Sequence, residues 1–245
     1  MRLRLIAAVG AVACAVALGV VLLRPDPAPP LGPSAALAAR GPVLLIPGYG
    51  GGQESLQAVA QRLRQGGVAA EVVSIGDGTG DLAGYAAAVT ARAGQLVAQG
   101  APSVDLIGFS AGGVIARDAA TRADGRALVR KVVTIGTPHD GTELTTLGAL
   151  VGSCPTACQE LTPGSDYLKQ LPVANGVDRW LSMWSSSDEV IRPITSSELD
   201  GARWFALQDV CARQIAHNEL MADPLTQATA TAFLAEAPLP SSCTV

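Results

Sequence analysis

Short apolar runs alternate with longer amphipathic segments from Gly41 to the end of the chain. The apolar runs predict strands at 43–46, 70–75, 103–107, 131–135, 180–184 and 203–207. The segments between them have apolar residues at helical spacing and predict helices at 53–65, 81–99, 111–123 and 217–234. Asp81 is a suitable N-cap for the second helix, and Gly100 is a suitable stop.

This alternation predicts a mostly parallel sheet with helices on both faces, the α/β class, in one domain from 39 to 245. The carboxyl ends of parallel strands meet at one edge, where such sheets bind ligands. The loops after Ile46, Ile107, Ile135, Trp184 and Leu207 are therefore expected to converge on one site.

The segment from Asp140 to Asn175 lacks a regular pattern. A long loop in a small domain is usually functional. We expect this segment to cover or line a substrate groove, without forming a substantial lid domain.

The N-terminus has the pattern of an export signal. Arg2 and Arg4 precede nineteen uncharged residues, 5–23, and a proline-rich stretch with a small-x-small sequence ending at Ala38 follows. We interpret 1–38 as a signal peptide that is removed on secretion. The alternative is that 5–23 stay as a membrane anchor, with the domain facing outside. Cys14 is interpreted as a small residue of the signal, because apolar sequence continues well past it.

Composition excludes some partners. Of the whole chain, 49% is apolar and 16% charged. Without 1–38, 14 basic and 20 acidic residues remain, and they form no basic patch, so nucleic acid is not an expected partner. We expect a monomer.

Four cysteines remain after the signal, an even number that predicts two disulfides in an oxidising compartment. Three pairings are possible, and we favour Cys154–Cys158 and Cys211–Cys243. The first closes a short loop around Pro155, and the second ties down the C-terminal tail. A metal site is disfavoured because no histidine lies near the Cys-x3-Cys sequence, and no metal or cofactor is expected.

Ser110 is the candidate nucleophile. It is the centre of Gly108-Phe-Ser-Ala-Gly112, a G-x-S-x-G sequence between a predicted strand and a predicted helix. Glycines are needed on both sides of so sharp a turn, and the helix start favours developing negative charge. The competing interpretation is a plain glycine-rich turn, but the strand–helix context favours catalysis.

A serine hydroxyl needs a base, and the chain has two histidines. In this class of site the order along the chain is serine, acid, histidine. His217 fits that order. His139 directly follows the fourth predicted strand and is expected to shape the loop beside the site.

Asp188 is the candidate acid, because it follows the predicted strand 180–184 in a polar loop. Asp178 precedes that strand, at the wrong end, and Asp200 and Asp209 flank the next strand and fit less well. Glu189 would point the other way if the loop stays extended. The expected role of the acid is to hold the histidine tautomer and stabilise the imidazolium.

The oxyanion hole is expected to use the backbone N–H groups of Ala111 and Tyr49. Tyr49 lies in the glycine-rich loop 47–52 after the first strand. That loop also begins like a dinucleotide-binding sequence, with Glu71 ending the next strand, but Gln53 stands where the third glycine is needed.

Five segments together resemble a known group of enzymes. They are Ile46-Pro-Gly-Tyr-Gly-Gly, Gly108-Phe-Ser-Ala-Gly-Gly, Ile135-Gly-Thr-Pro-His-Asp-Gly-Thr, Ser187-Asp-Glu-Val and His217. From Gly41 to Leu234 the chain resembles secreted lipases and esterases of the actinobacterial type, and is similar in plan to the lid-less Bacillus lipases. The resemblance implies an α/β-hydrolase fold and hydrolysis of carboxylic esters by Ser110, Asp188 and His217, with a small-molecule ester or lipid as the substrate.

One departure from that group concerns the first loop, where Pro47-Gly48 replaces the His-Gly of many relatives. The donor there is a backbone N–H, so the chemistry is expected to survive. Two alternatives to a hydrolase share the scaffold. One is an acyltransferase at the cell envelope with the same triad, and the other is a binding protein without catalysis.

Overall fold

A computed structural model describes residues 39–145 and 153–244. The predicted signal peptide or anchor, including Cys14, lies outside these residues, as does the part of the irregular segment from 146 to 152. Among the residues described, none of the helices has the length and apolar character to cross a bilayer.

Six strands make one parallel sheet in the order β2-β1-β3-β4-β5-β6. They are β1 (Val43–Ile46), β2 (Ala70–Val72), β3 (Val104–Phe109), β4 (Val129–Ile135), β5 (Trp180–Trp184) and β6 (Arg203–Ala206). The predicted strands are all present, and β2 is the one that is clearly shorter than expected.

Seven helices lie completely within the described residues. They are α1 (Glu54–Gln65), α2 (Leu82–Ala98), α3 (Ala111–Thr121), α4 (Ala123–Leu128), α5 (Thr156–Glu160), α6 (Asp166–Gln170) and α7 (Pro224–Leu234). Asp81 caps α2 as predicted, since its carboxylate accepts from the N–H groups of Ala83 and Gly84. The helices α5 and α6 lie in the segment expected to be irregular.

The last helix was predicted over 217–234, and its predicted first residue was wrong. Residues His217–Glu219 form a single 3-10 turn, and α7 begins only at Pro224. The Asp223 carboxylate accepts from the N–H of Thr226 and caps that start, while proline suits the first helical position. His217 therefore stands in a loop over the sheet edge.

The sheet is buried on both faces, and adjacent residues of a strand serve different cores. Leu44 and Ile46 of β1 pack on the side of α2 and α3, whereas Val43 and Leu45 pack on the side of α1 and α7. Because both faces need apolar residues, the strand sequence is a continuous apolar run, which is how it could be recognised. The fold is that of an α/β hydrolase, as predicted.

The cysteines form the disulfides Cys154–Cys158 and Cys211–Cys243, the two pairs favoured from the sequence. The first begins the α5 region of the 140–175 segment. The second joins the loop after β6 to the C-terminal tail.

Candidate active site

Ser110 occupies a sharp turn between β3 and α3. Its backbone has φ 55° and ψ −127°, a conformation that a residue with a side chain rarely adopts. Such a residue costs on the order of 1–3 kcal/mol and persists where surrounding contacts fix it. Here the N–H of Ser110 donates to the Ile135 carbonyl at 2.9 Å, so the turn is tied to the end of β4.

The glycines around Ser110 allow backbone segments to touch. A Cβ on Gly108 would lie 2.4 Å from the Gly112 oxygen, and one on Gly112 would lie 2.2 Å from the Ile46 oxygen. On Gly113 it would lie 1.9 Å from Thr137 Oγ1. The turn is therefore wedged between the loops that follow β1 and β4.

Asp188 and His217 meet at the same edge. His217 Nδ1 lies 2.7 Å from Asp188 Oδ2, and both side chains are buried. Gly136, which follows β4 with φ 54°, leaves the room for this pair. A Cβ there would lie 3.2 Å from Asp188 Oδ2 and 3.3 Å from His217 Nδ1.

The second carboxylate oxygen of Asp188 is also satisfied. Oδ1 accepts from the N–H groups of Val190 at 2.8 Å and Ile191 at 3.0 Å. With Oδ1 occupied in this way, Oδ2 is left to face the imidazole. A carboxylate acceptor selects the Nδ1–H tautomer, which leaves Nε2 free to take a proton.

Ser110 and His217 are brought to one edge by shared neighbours. The Phe109 ring, next to Ser110, lies 5.0 Å from the His217 ring between centroids. Ile135 holds the Ser110 N–H, and the next residue, Gly136, borders the imidazole. In the described residues no hydrogen bond joins Ser110 Oγ to His217, a contact that in ligand-free enzymes is often long.

The loop after β1 lies over the serine. A Cβ on Gly48 would be 2.9 Å from the Cβ of Ser110 and 3.4 Å from its Oγ. Gly50 and Gly51 have positive φ values of 85° and 64°, which turn the chain back at once. Tyr49 follows Gly48 in this loop. Its backbone N–H donates to no other described residue, so it is free to bind a ligand.

His139 is placed away from proton transfer. It is buried, and its Nε2 lies 3.0 Å from Thr134 Oγ1. Since the Thr134 hydroxyl donates to Ser182, which donates to the Ser197 carbonyl, Thr134 must accept the proton of Nε2. The pKa of His139 lies well below its usual range. Burial of the ring is the larger cause, and the positive charge of the nearby Arg117 guanidinium is the smaller one.

Arg117 attaches the described end of the 140–175 segment to α3, the helix that begins next to Ser110. Its buried guanidinium donates to the carbonyls of His139, Leu171 and Pro172 at 2.8–3.0 Å. Nearer the middle of the segment, the Ala157 N–H donates to the Thr79 carbonyl in the loop before α2 at 3.0 Å. The described residues of the segment are thereby fixed to the sheet domain, a role for Arg117 that its sequence position did not reveal.

Glu189 does not point away from the site, as it would in an extended loop. The loop does not stay extended after Asp188, because the two bonds to Asp188 Oδ1 bend it into a turn. As a result Glu189 Oε2 accepts from the backbone N–H of His217 at 3.1 Å. The only hint in the sequence was that Glu189 adjoins the candidate acid.

Within the described residues, no group of three or more His, Cys, Asp or Glu side chains could hold a metal ion. One sheet edge carries the Ser110 hydroxyl, the buried imidazole–carboxylate pair and the unbonded backbone N–H of Tyr49. Together with the six-stranded parallel sheet, these features define an α/β hydrolase.

Comparison with known proteins specifies the family. The palmitoyl protein thioesterase family model matches residues 42–173, more than half of the chain. The chain belongs to the palmitoyl protein thioesterase family. The matched region contains Ser110 and the loop after β1, whereas Asp188 and His217 lie beyond it. A search of curated proteins found no matching sequence.

Solved structures show the same fold at low identity. Aspergillus fumigatus lipase B is 16% identical with a TM-score of 0.69, over 82% of this chain and 54% of that chain. RedJ is 18% identical with a TM-score of 0.51, over 87% and 94%. Bacillus licheniformis lipase BlEst2 in its propeptide form is 18% identical with a TM-score of 0.50, over 63% and 37%. The chain thus spans about half of the fungal lipase.

Proposed function

We propose that the protein is an exported serine hydrolase that cleaves acyl esters or thioesters through an acyl-enzyme. The observation that carries this proposal is the position of Ser110. It stands in a left-handed turn at the sheet edge where Asp188 and His217 form a buried pair. A binding protein has no need of such a turn together with a polarised imidazole.

The proposed reaction begins when Ser110 Oγ attacks the acyl carbonyl and His217 Nε2 takes its proton. The N–H groups of Tyr49 and Ala111 receive the oxyanion, and Asp188 stabilises the imidazolium. His217 then protonates the leaving group. Water, activated by the same imidazole, releases the acid and restores Ser110.

The test is Ser110→Ala in the purified domain, with Ser55→Ala in α1 as the matched control. Parent and control should hydrolyse p-nitrophenyl esters and react with a fluorophosphonate probe, and Ser110→Ala should do neither. Retention of parental hydrolysis by Ser110→Ala would overturn the proposal. Absence of labelling in the parent would favour a binding protein, and alcohol-dependent partition of the acyl group would favour an acyltransferase.

Thioesters are a second candidate substrate class, favoured by the family match. A thiol has a pKa of about 8.5, so it leaves as an anion far more readily than an alcohol and depends less on protonation by His217. Two peptides that differ only in S-palmitoyl-cysteine or O-palmitoyl-serine would compare the classes. A thioesterase should show the higher kcat/KM on the first, and an esterase on the second.

The acyl chain length is proposed to depend on the 140–175 segment. This segment is fastened next to the catalytic edge by Arg117 and by the bond from Ala157 to Thr79. A series of soluble esters from acetate to palmitate would measure the preference. A maximum at acetate would argue against a lipid substrate.

Export is proposed from the N-terminal pattern and is supported by the two disulfides, which persist in oxidising compartments. Mass spectrometry of protein recovered from the producing cells would separate the two forms. A chain beginning at Ala39 supports secretion, and a membrane-associated chain that retains 5–23 supports the anchor. Sedimentation would test the expected monomer.

A further inference from the structure

Because the chain turns after Asp188, both Asp188 and the next residue, Glu189, contact His217. Asp188 Oδ2 faces His217 Nδ1 at 2.7 Å, and Glu189 Oε2 accepts from the His217 backbone N–H at 3.1 Å. The side chain and the backbone of His217 are thus both held from the loop after β5. That loop supplies the acid and also an anchor for the residue that carries the base.

The main chain at His217 needs contacts with other segments to hold its position, because His217 is not part of a long helix. It begins a 3-10 turn of three residues, whose own cap is the bond from the Ala216 N–H to Glu219 Oε2 at 2.9 Å. That cap orders the turn internally but does not attach it to the loop after β5, which carries Asp188 and Glu189. Two bonds of the described residues join the turn to that loop. One is the side-chain bond from His217 Nδ1 to Asp188, and the other, from the His217 backbone N–H to Glu189, is the one that holds the main chain.

We propose that Glu189 is a positioning residue for His217 in the reaction proposed above, on which this inference rests. Its carboxylate fixes the backbone of the base relative to Asp188, so that Nε2 stays directed towards Ser110. Misplacement of a catalytic group by about 1 Å can cost up to about 10² in rate. Because Glu189 contacts the histidine backbone, its loss is expected to lower kcat and to leave KM unchanged.

Two variants test this role. Glu189→Ala removes the acceptor for the His217 N–H and should lower kcat roughly three- to tenfold with KM unchanged. Glu189→Gln keeps an oxygen acceptor at the same position, so it should recover most of kcat. Glu54→Gln, an exposed glutamate in the first turn of α1, is the matched control and should change neither kcat nor KM.

The rates are to be normalised to fluorophosphonate-reactive sites, so that loss of folded enzyme does not count as loss of kcat. Parental kcat in Glu189→Ala would overturn the inference. So would failure of Glu189→Gln to exceed Glu189→Ala in kcat. If Ser110→Ala retains the activity, the proposed function itself is wrong, and this outcome is distinguishable because it does not involve Glu189.

Discussion

His217 Nδ1 and Asp188 Oδ2 lie 2.7 Å apart although 29 residues separate them in the sequence. The other oxygen of Asp188 already accepts from two backbone N–H groups. In Asp188→Asn the amide oxygen would keep those bonds, so its NH2 group would face the imidazole and select the Nε2–H tautomer. That tautomer cannot take the serine proton, and kcat should fall by about 10⁴.

The measurement is kcat on a p-nitrophenyl ester, together with thermal unfolding. Asp178→Asn, which removes a charge before β5, is the control and should retain the parental kcat. An Asp188→Asn protein within tenfold of the parent would show that Asp188 is not the acid.

Gly112→Ala should destabilise the fold. The new Cβ would lie 2.2 Å from the Ile46 oxygen and 2.5 Å from the Pro47 oxygen, and backbone atoms of a buried strand end cannot withdraw cheaply. We expect a loss of about 1–3 kcal/mol or more in the free energy of unfolding, measured by urea titration.

Gly94→Ala should instead raise the free energy of unfolding. Gly94 lies inside α2, and the nearest atom that its Cβ would meet is Leu128 Cδ1 at 3.9 Å. Alanine in a helix interior is favoured over glycine by about 0.8–1.0 kcal/mol, so a stabilisation of about that size is expected in the same titration. A destabilised Gly94→Ala would contradict the ordinary van der Waals distance between the new Cβ and Leu128.

His139 should make the protein sensitive to acid. Its pKa is well below 6.5 in the folded state because of burial, whereas in the unfolded state it is about 6.5. Above pH 6.5 the residue is neutral in both states and has no linkage effect. Below pH 6.5 the unfolded chain binds the proton and the folded chain does not, so stability falls with decreasing pH.

His139→Gln isolates this contribution, since its amide can still donate to Thr134. The difference in unfolding free energy between parent and variant should change by about 1.4 kcal/mol per pH unit below pH 6, in the variant's favour. Urea titrations at pH 7.5, 5.5 and 4.5 provide the data. A constant difference across these values would mean that His139 titrates normally.

The two disulfides should contribute unequally. Cys211–Cys243 closes 32 residues and Cys154–Cys158 closes 4, so loop entropy gives about 4 and about 2 kcal/mol respectively. Replacing each pair by serines and measuring the free energy of unfolding tests the order. Equal losses would show that chain entropy does not set their contribution.

Much of the fold follows from patterns local to the chain. The run Val43–Ile46 could be recognised as a strand because both of its faces are buried, and the glycines around Ser110 identified the turn because no larger residue fits there. The choice of His217 over His139 also followed from chain order. The structure places His217 beside Asp188, and buries His139 against Thr134.

Two features differ from expectation although contacts close in the sequence fix them. The start of the last helix was misplaced, because the apolar pattern runs through 217–234 while Asp223 and Pro224 set the boundary. Glu189 was expected to point away from the site if the loop stayed extended. The loop bends instead, because backbone N–H groups two and three residues on donate to the Asp188 carboxylate, a turn that Asp side chains favour.

The sequence by itself determined the parallel sheet, the turn at Ser110 and the chain order of serine, acid and histidine, since each depends on residue types and spacing within a segment. Only the tertiary structure decided how His217 is held by Asp188 and Glu189, and how Arg117 fastens the 140–175 segment. The physical reason is that these contacts join residues 28 to 55 positions apart in the sequence. Their geometry is fixed by packing of the whole domain.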